Sequence, residues 1–352
     1  MLCTMKIKLV PSQEQFDALL RTMKQFNLAC NQISKIAFDS KTFSKIKLQK
    51  ICYYDIRNEF GLSSQMVVRA LGKVSESYKF NKNTLHTFKE TGAMVYDDRI
   101  LSFKGIEIAS ILTLDGRTEV PMLISSYHNE MLCGNRVRGQ ADLILQDGTF
   151  YLLLVAEIPE SVPFSPEGHI GVDLGIKNIA VDSTGEVFSG AKVNALRARH
   201  RKLRAKLQSK KTKSAKKLLK KRSKKERRFA SDVNHCISKR LVEKAKGTQS
   251  AIALEDLKGI RKRTEKTVRK AQRSQHSSWG FYQLRQYVEY KSAIAGVPVV
   301  LVDPRNTSRT CPLCGHIDKK NRPNRDTFHC QRCGYAAPAD IVAAVNIARK
   351  AL

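Results

Sequence analysis

Two CxxC pairs, Cys311-Pro-Leu-Cys314 and Cys330-Gln-Arg-Cys333, stand fifteen residues apart and constrain this chain more than any other feature. Pairs at this spacing bring four thiolates to one point, and a single structural Zn²⁺ is the expected occupant. Gly315 and Gly334 each follow the second cysteine of a pair, where the missing Cβ lets the backbone turn and aim its amides at the sulfurs. A redox or disulfide role is the alternative, and the doubled spacing disfavours it. The other five cysteines (Cys3, Cys30, Cys52, Cys133, Cys236) are scattered and read as reduced thiols of a cytosolic protein. Between the pairs lie Lys319, Lys320, Arg322 and Arg325, which make this loop a basic finger. With Arg309 just ahead of it, Lys319, Lys320 and Arg322 are candidate nucleic-acid contacts.

The chain has 352 residues, 42% of them hydrophobic, and a formal net charge of +31. That length calls for two or three cores, and that charge for a polyanionic partner, nucleic acid first. The longest apolar run, Phe150 to Ala156, is strand-sized, and the N-terminus has no apolar leader segment; a soluble, unexported protein is expected, cytoplasmic and nucleoid-associated when bound to DNA. From Arg197 to Arg228 there are 18 Lys or Arg against the single acid Glu226, a net +17. Leu196, Leu203 and Leu207, then Leu218, Leu219 and Phe229, recur within it and predict a helical hairpin with one thin apolar seam. Such a run is usually a solvated face. Here the seam favours a positive wall for a phosphate backbone, with Arg197, Arg201, Lys202, Lys216, Lys217, Lys220, Lys221 and Arg222 as candidate contacts.

Lys6 to Val10 alternates like a strand, and Ser12 with Gln15 forms a capping box that opens a helix with Phe16, Leu19, Leu20, Met23, Cys30, Ile33 and Ala37 on its apolar stripe. A second helix spans about Leu48 to Phe60 and stops at Gly61. A third starts at Ser63 or Ser64, with Met66, Val67, Ala70, Leu71, Val74 and Tyr78 at helical intervals. From Ala93 to Ile158 the period becomes two, with turns at Leu114-Asp115-Gly116 and Gln146-Asp147-Gly148, so a β-barrel or sandwich is expected, with the helices inserted into it. Pro159 to Pro166 reads as a stiff linker. Beyond it come a strand, turn and strand from His169 to Asp182, a buried strand from Gln249 to Leu257, a helix from about Ser278 to Ala295, a strand from Val297 to Asp303, and a final helix from Asp340.

Two-metal phosphodiester hydrolysis needs carboxylates that converge on a pair of divalent cations. An RNase H-like sheet supplies one from its first strand, one from the end of its fourth and one from a late helix. Asp173, Glu255 and Asp340 come in that order and are the candidate catalytic and Mg²⁺-binding residues, expected to hold two ions because the chemistry uses a pair. Asp182, Asp256 and Asp303 serve as comparators, read as turn or edge residues.

Gly-Val-Asp173-Leu-Gly-Ile, Leu-Glu255-Asp-Leu, Asn306-Thr-Ser-Arg-Thr-Cys311-Pro-Leu-Cys314-Gly-His, Cys330-Gln-Arg-Cys333-Gly and Asp340-x-x-Ala-Ala-x-Asn346-Ile resemble the motifs of the TnpB family of transposon-encoded proteins, relatives of type V CRISPR effectors. The opening around Pro11 and the stretch Leu62-Ser-Ser-Gln-Met-Val-Val-Arg-Ala resemble it too. The resemblance implies an α+β multidomain fold: a WED-like split β-barrel (1–10 and 81–158) with an inserted REC-like helical bundle (11–80), a linker (159–166), and an RNase H-like RuvC nuclease domain (167–307 and 339–352). That last domain would hold the basic hairpin (190–246) and a zinc-binding, target nucleic-acid-binding module (308–338). It further implies an RNA-guided DNA endonuclease, whose partners are a noncoding guide RNA and a double-stranded target DNA beside a short target-adjacent motif, and which is expected as a monomer. Many relatives carry Asn two residues after the last Asp, where this chain has Val342. With the sequence read to Leu352, the behaviour that depends on the basic tail of some members is not expected to carry over. The competing readings are a nuclease-inactive RNA-guided repressor, which should have lost an acid, a DNA transposase, which needs no RNA, and a zinc-ribbon transcription factor, which needs no acid-bearing sheet.

Overall fold

The computed structural model describes residues 1–258 and 280–352. They divide into two compact units, Met1–Pro159 and Glu160–Leu352. The beginning of the helix expected from Ser278 lies outside the described residues.

The first unit opens with β1 (Leu2–Leu9), longer than its alternating core suggested, and continues into α1 (Gln13–Asp39), α2 (Lys45–Phe60) and α3 (Ser64–Ser77). Ser12 and Gln15 form the expected reciprocal cap. α2 stops where Gly61 takes a left-handed φ of 61°, a conformation that glycine adopts without a Cβ penalty. Met66, Val67, Ala70, Leu71, Val74 and Tyr78 are all fully buried, so the helical stripe of α3 is core.

The strands that follow are β2 (Met94–Asp97), β3 (Leu101–Lys104), β4 (Ile108–Thr113), β5 (Gly116–Leu123), β6 (Arg136–Gln146) and β7 (Thr149–Glu157). With β1 they form one antiparallel sheet in the order β2-β6-β7-β1-β5-β4-β3. The edge strands β2 and β3 are consecutive in sequence and joined only by Asp98, Arg99 and Ile100, so the sheet curls until its edges nearly meet. Asp147 and Gly148 both have positive φ, 52° and 77°, the mirror-image turn that suits a two-residue hairpin. The period-two reading missed α4 (Ser126–Leu132), a short helix capped by Ser125.

The second unit is built on a five-stranded sheet in the order β10-β9-β8-β11-β12. Its members are β8 (Gly168–Asp173), β9 (Asn178–Asp182), β10 (Val187–Ser189), β11 (Ser250–Glu255) and β12 (Val299–Val302). The first three form an antiparallel meander, and β11 runs parallel to both β8 and β12. Between β10 and β11 the chain makes the basic hairpin, α5 (Ala191–Ser209) and α6 (Lys213–Gly247); α7 (Phe281–Ala295) precedes β12. Two short strands, β13 (Thr327–His329) and β14 (Ala336–Pro338), lead into α8 (Ala339–Lys350). The segment read as a linker is tied down in part: Ser161 and Phe164 donate backbone N–H groups to Ala293 and Gly296 beside the end of α7.

Alternation along the strands sorts the two faces of this sheet. Ile170, Val172, Ile252 and Leu254 pack with Leu241, Val242 and Ala245 of α6 and Leu284 and Val288 of α7. Gly171, Asp173, Ala253 and Glu255 alternate with these and take the other face, where Ala253 packs with Ile347 of α8. A Cβ at Gly171 would overlap the Ala344 carbonyl and the Ala348 amide, and would sit 3.0 Å from the Ala348 Cα. Glycine at 171 therefore lets α8 lie directly on β8, two residues before Asp173. No helix among the described residues is long and apolar enough to cross a membrane.

The hairpin seam is thinner than its leucines suggest. Val193, Leu207 and Ala215 are buried, but Leu218 and Phe229 are 41% and 36% exposed. Polar contacts hold the helices together as well: Glu226 accepts a hydrogen bond from Arg204 at 2.8 Å and has His200 Nδ1 at 3.7 Å.

Candidate functional site: three carboxylates beside a four-cysteine cage

Asp173 ends β8, Glu255 ends the neighbouring β11, and Asp340 lies in the first turn of α8, which covers both strands. Burial pushes the Asp173 carboxyl up to about 7, the nearby charges of Glu255 and Asp340 push the same way, and Arg322 and the Leu174 N–H oppose them. Burial also raises Glu255, against a hydrogen bond from the Thr307 hydroxyl and the charge of Lys350. Thr307 Oγ1 donates to Glu255 Oε1 at 2.5 Å, and Asn178 Nδ2 donates to Asp340 Oδ2 at 2.9 Å. The guanidinium of Arg322 lies 3.6 Å from Asp340 Oδ1. A half-buried carboxyl whose proton affinity is raised by two neighbouring acids is short of positive charge, and hard oxygen donors of this kind fit a divalent cation such as Mg²⁺. Arg322, first read as a nucleic-acid contact, supplies part of that charge.

The comparators differ from the acids in their partners. Asp182 does head a turn, since its carbonyl accepts from the Gly185 N–H at 3.0 Å, but it is also fully buried. Burial alone would raise it, but hydrogen bonds from Lys244 and Thr184 and the Glu186 N–H outweigh that and hold it below the usual carboxylate range. Asp256 pairs with Arg285 at 2.8 Å, and the exposed Asp303 accepts from the Arg305 N–H at 3.0 Å.

The sulfurs of Cys311, Cys314, Cys330 and Cys333 all lie within 4.8 Å of one another. Two of the separations, Cys311 to Cys333 and Cys314 to Cys330, are 3.5 Å. A tetrahedron with Zn–S bonds of ~2.3 Å has sulfur–sulfur edges of about 3.8 Å, so the cage fits zinc. Its two halves repeat: Gly315 N–H donates to Cys311 O and Gly334 N–H to Cys330 O, and both glycines have φ of 73°. Among the described residues no other group of ligand atoms converges this tightly; the three acids do not.

Cage and acids share structure. Cys311, Cys330 and Phe328 pack with Ala339 and Val342 of α8, which gives the departure at Val342 a physical reason: it is core beneath the cage. The Ala339 N–H donates to Asp326 O, and Lys177 of the β8–β9 turn pairs with the Asp326 carboxylate at 2.7 Å. Sequence reasoning assigned no role to Asn178, Thr307 or Asn346. All three lie in or next to the quoted motifs, but their partners are distant in sequence.

Of the basic candidates, Arg201, Lys202, Lys216, Lys217, Lys220, Lys221, Arg309, Lys319 and Lys320 are exposed, whereas Arg197 and Arg222 are half-buried. Among the described residues, Arg222 Nε is buried without a hydrogen-bond partner.

A TnpB-like protein of Methanocaldococcus jannaschii is 31% identical to this chain over 191 residues, which cover 51% of this chain and 67% of that protein. The chain belongs to the TnpB family. Residues 154–261 of this TnpB protein also match the OrfB IS605 family, described as "Probable transposase", and residues 281–347 match the Cas12f1-like TNB domain. The CRISPR-associated endodeoxyribonuclease Cas12f1 of Sulfoacidibacillus thermotolerans is 38% identical over 121 residues, covering 34% of this chain and 27% of that protein. The chain thus spans about a quarter of the length of that relative (27%). In fold, this TnpB protein resembles the Cas12f1 of a Cas12f1–sgRNA–target DNA complex, with a TM-score of 0.64 at 16% identity over 96% of this chain and 83% of that one.

Proposed function

We propose that this TnpB-family chain is an RNA-guided DNA endonuclease of a transposable element, with Asp173, Glu255 and Asp340 as the ligands of its catalytic Mg²⁺ ions. The observation that carries the reading is that the sheet and α8 gather three acids from distant parts of the chain, so that Asp173 feels the charge of both others. Bound divalent cations would activate a water and stabilise the leaving oxygen of a phosphodiester. The chain's own contribution is orientation. Asn178 holds one oxygen of Asp340, Thr307 holds one oxygen of Glu255, and Asp173, whose carboxyl is held in its protonated form up to about 7 by burial and its neighbours, would have to ionise to serve as a ligand.

The strand order of the second unit, with β8 central and β11 parallel to it, supports a RuvC-type RNase H-like domain. The curled seven-stranded sheet with helices inserted after its first strand supports a WED-like barrel carrying a REC-like bundle. The four-cysteine segment is then a zinc-bearing module that engages target DNA, and the exposed lysines of the hairpin bind guide RNA or the guide–target duplex. The guide itself is proposed from the sgRNA and target DNA that the Cas12f1 of similar fold carries and from the charge of +31.

The test is to purify the protein from cells, sequence any RNA that comes with it, and offer that complex a matching duplex with Mg²⁺. A discrete copurifying RNA and cleavage of only the matching DNA are expected. Cleavage without RNA would favour a transposase, and RNA-directed binding without cleavage a repressor.

A further inference from the structure

Asn346 lies on α8, six residues past Asp340, and is buried. Its amide Nδ2 donates to two carbonyls of one loop, those of Thr307 and Thr310, each at 2.7 Å. Thr310 immediately precedes the first cysteine of the cage. Thr307 is the residue whose hydroxyl reaches Glu255. That hydroxyl has a single proton, and the Pro304 carbonyl competes for it at 3.1 Å. The carboxylate at 2.5 Å is both nearer and the stronger acceptor. The loop also has a conformation that needs holding, since Asn306, next to Thr307, sits at φ 60°, a left-handed backbone that L-residues adopt at some cost.

We infer that Asn346 is a positioning residue for Glu255: by clamping the Thr307 backbone it aims the Thr307 hydroxyl at one carboxylate oxygen and turns the other toward the cation site. The inference rests on Glu255 being a cation ligand, as proposed above. Without the amide, two loop carbonyls lose a buried donor, the loop is free to rotate Thr307 toward Pro304, and the carboxylate loses its fixed rotamer. Partners of this kind around metal ligands set affinity as well as geometry.

The experiment is a Mn²⁺ titration followed by electron paramagnetic resonance, on the full-length, zinc-loaded protein, with zinc content measured for each variant. Glu255→Gln should abolish the tightest Mn²⁺ site. Thr307→Val, which keeps shape and removes only the hydroxyl, and Asn346→Ala should each weaken it roughly tenfold or more. Thr307→Ser should restore wild-type affinity. The double variant Asn346→Ala with Thr307→Val should be no weaker than either single one, because both act through the same hydrogen bond. Wild-type Mn²⁺ affinity in Asn346→Ala, losses that add in the double variant, or loss of zinc together with the Mn²⁺ site would each overturn the inference. Unchanged Mn²⁺ binding in Glu255→Gln would instead overturn the reading of the carboxylates on which it stands.

Discussion

The four-cysteine cage and the carboxylate site share helix α8, yet they are assembled by opposite routes. The cage takes all its ligands from Cys311 to Cys333, and each half closes through its own backbone hydrogen bonds and a left-handed glycine. The carboxylates come from Asp173, Glu255 and Asp340, and only the sheet and α8 bring them together. A local site is readable from spacing. A site gathered by tertiary structure is readable only as an order of acids, and the groups that orient it are not readable at all.

The contrast breaks most sharply if the acids are removed. Asp173→Ala, Glu255→Ala or Asp340→Ala should each lower Mg²⁺-dependent cleavage by about 10³-fold or more, with little effect on target binding. Because the three act as one unit, a double variant should be scarcely worse than a single one. Persistent cutting by any one of them would remove that residue from the site.

Loss of a sulfur tests the local half. Ser at any of the four cysteines should release the zinc, whose binding in small fingers contributes roughly 10–16 kcal/mol of folding free energy. Since Ala339 and Val342 share the core of the cage, the first turn of α8 should loosen as well, and cleavage should fall with target engagement. Elemental analysis that finds no zinc in fully active wild-type protein would refute the assignment.

Gly171→Ala tests the tertiary half without touching an acid. The added methyl meets the backbone of α8 at Ala344 and Ala348, which cannot yield as a side chain can. A loss of about 3 kcal/mol in denaturant melts is expected, together with loss of cleavage. An unaltered melt would mean that α8 does not lie on β8 this closely.

Much of the local architecture was legible. The Ser12 capping box, the stop at Gly61, the α3 stripe and the turn at Asp147-Gly148 all follow from interactions within a few residues. What was not legible depends on partners far along the chain. Asp182 was readable as a turn residue but not as a buried one, because Lys244, which neutralises it, is 62 residues away. The approach of Arg322 to Asp340 was not readable because it needs the fold of the whole finger. Leu218 and Phe229 fit a helical seam by spacing, but spacing does not say whether anything covers them, and both are exposed.

A smaller effect should appear as a pH dependence of the acid site. Asp173 stays protonated in the folded chain up to about 7, whereas an unfolded Asp ionises near about 3.9. Between these values the folded state binds more protons, so the stability of the metal-free protein should fall as pH rises through the window and level off above it. The loss is on the order of a few kcal/mol at most. Mg²⁺ should restore it above neutrality, and Asp173→Asn should flatten the profile. A metal-free profile identical in wild type and Asp173→Asn would show that this carboxyl ionises normally.

The smallest effect concerns the hairpin, where exposed Lys216, Lys217, Lys220 and Lys221 offer charge without a built site. Lysines on a solvent-facing helix attract phosphates and release counterions; they do not read bases, so removing their charge should weaken binding to all sequences alike. Replacing all four with Gln should make the slope of log affinity against log salt shallower, by at most roughly 0.7 to 0.9 for each phosphate that is no longer neutralised. Discrimination between matched and mismatched targets should hardly change, because base pairing carries it. An unaltered salt slope would make this stretch of α6 a solvated face, and the charge that holds the nucleic acid would then have to come from elsewhere, with exposed Arg309, Lys319 and Lys320 of the cysteine module the next residues to neutralise.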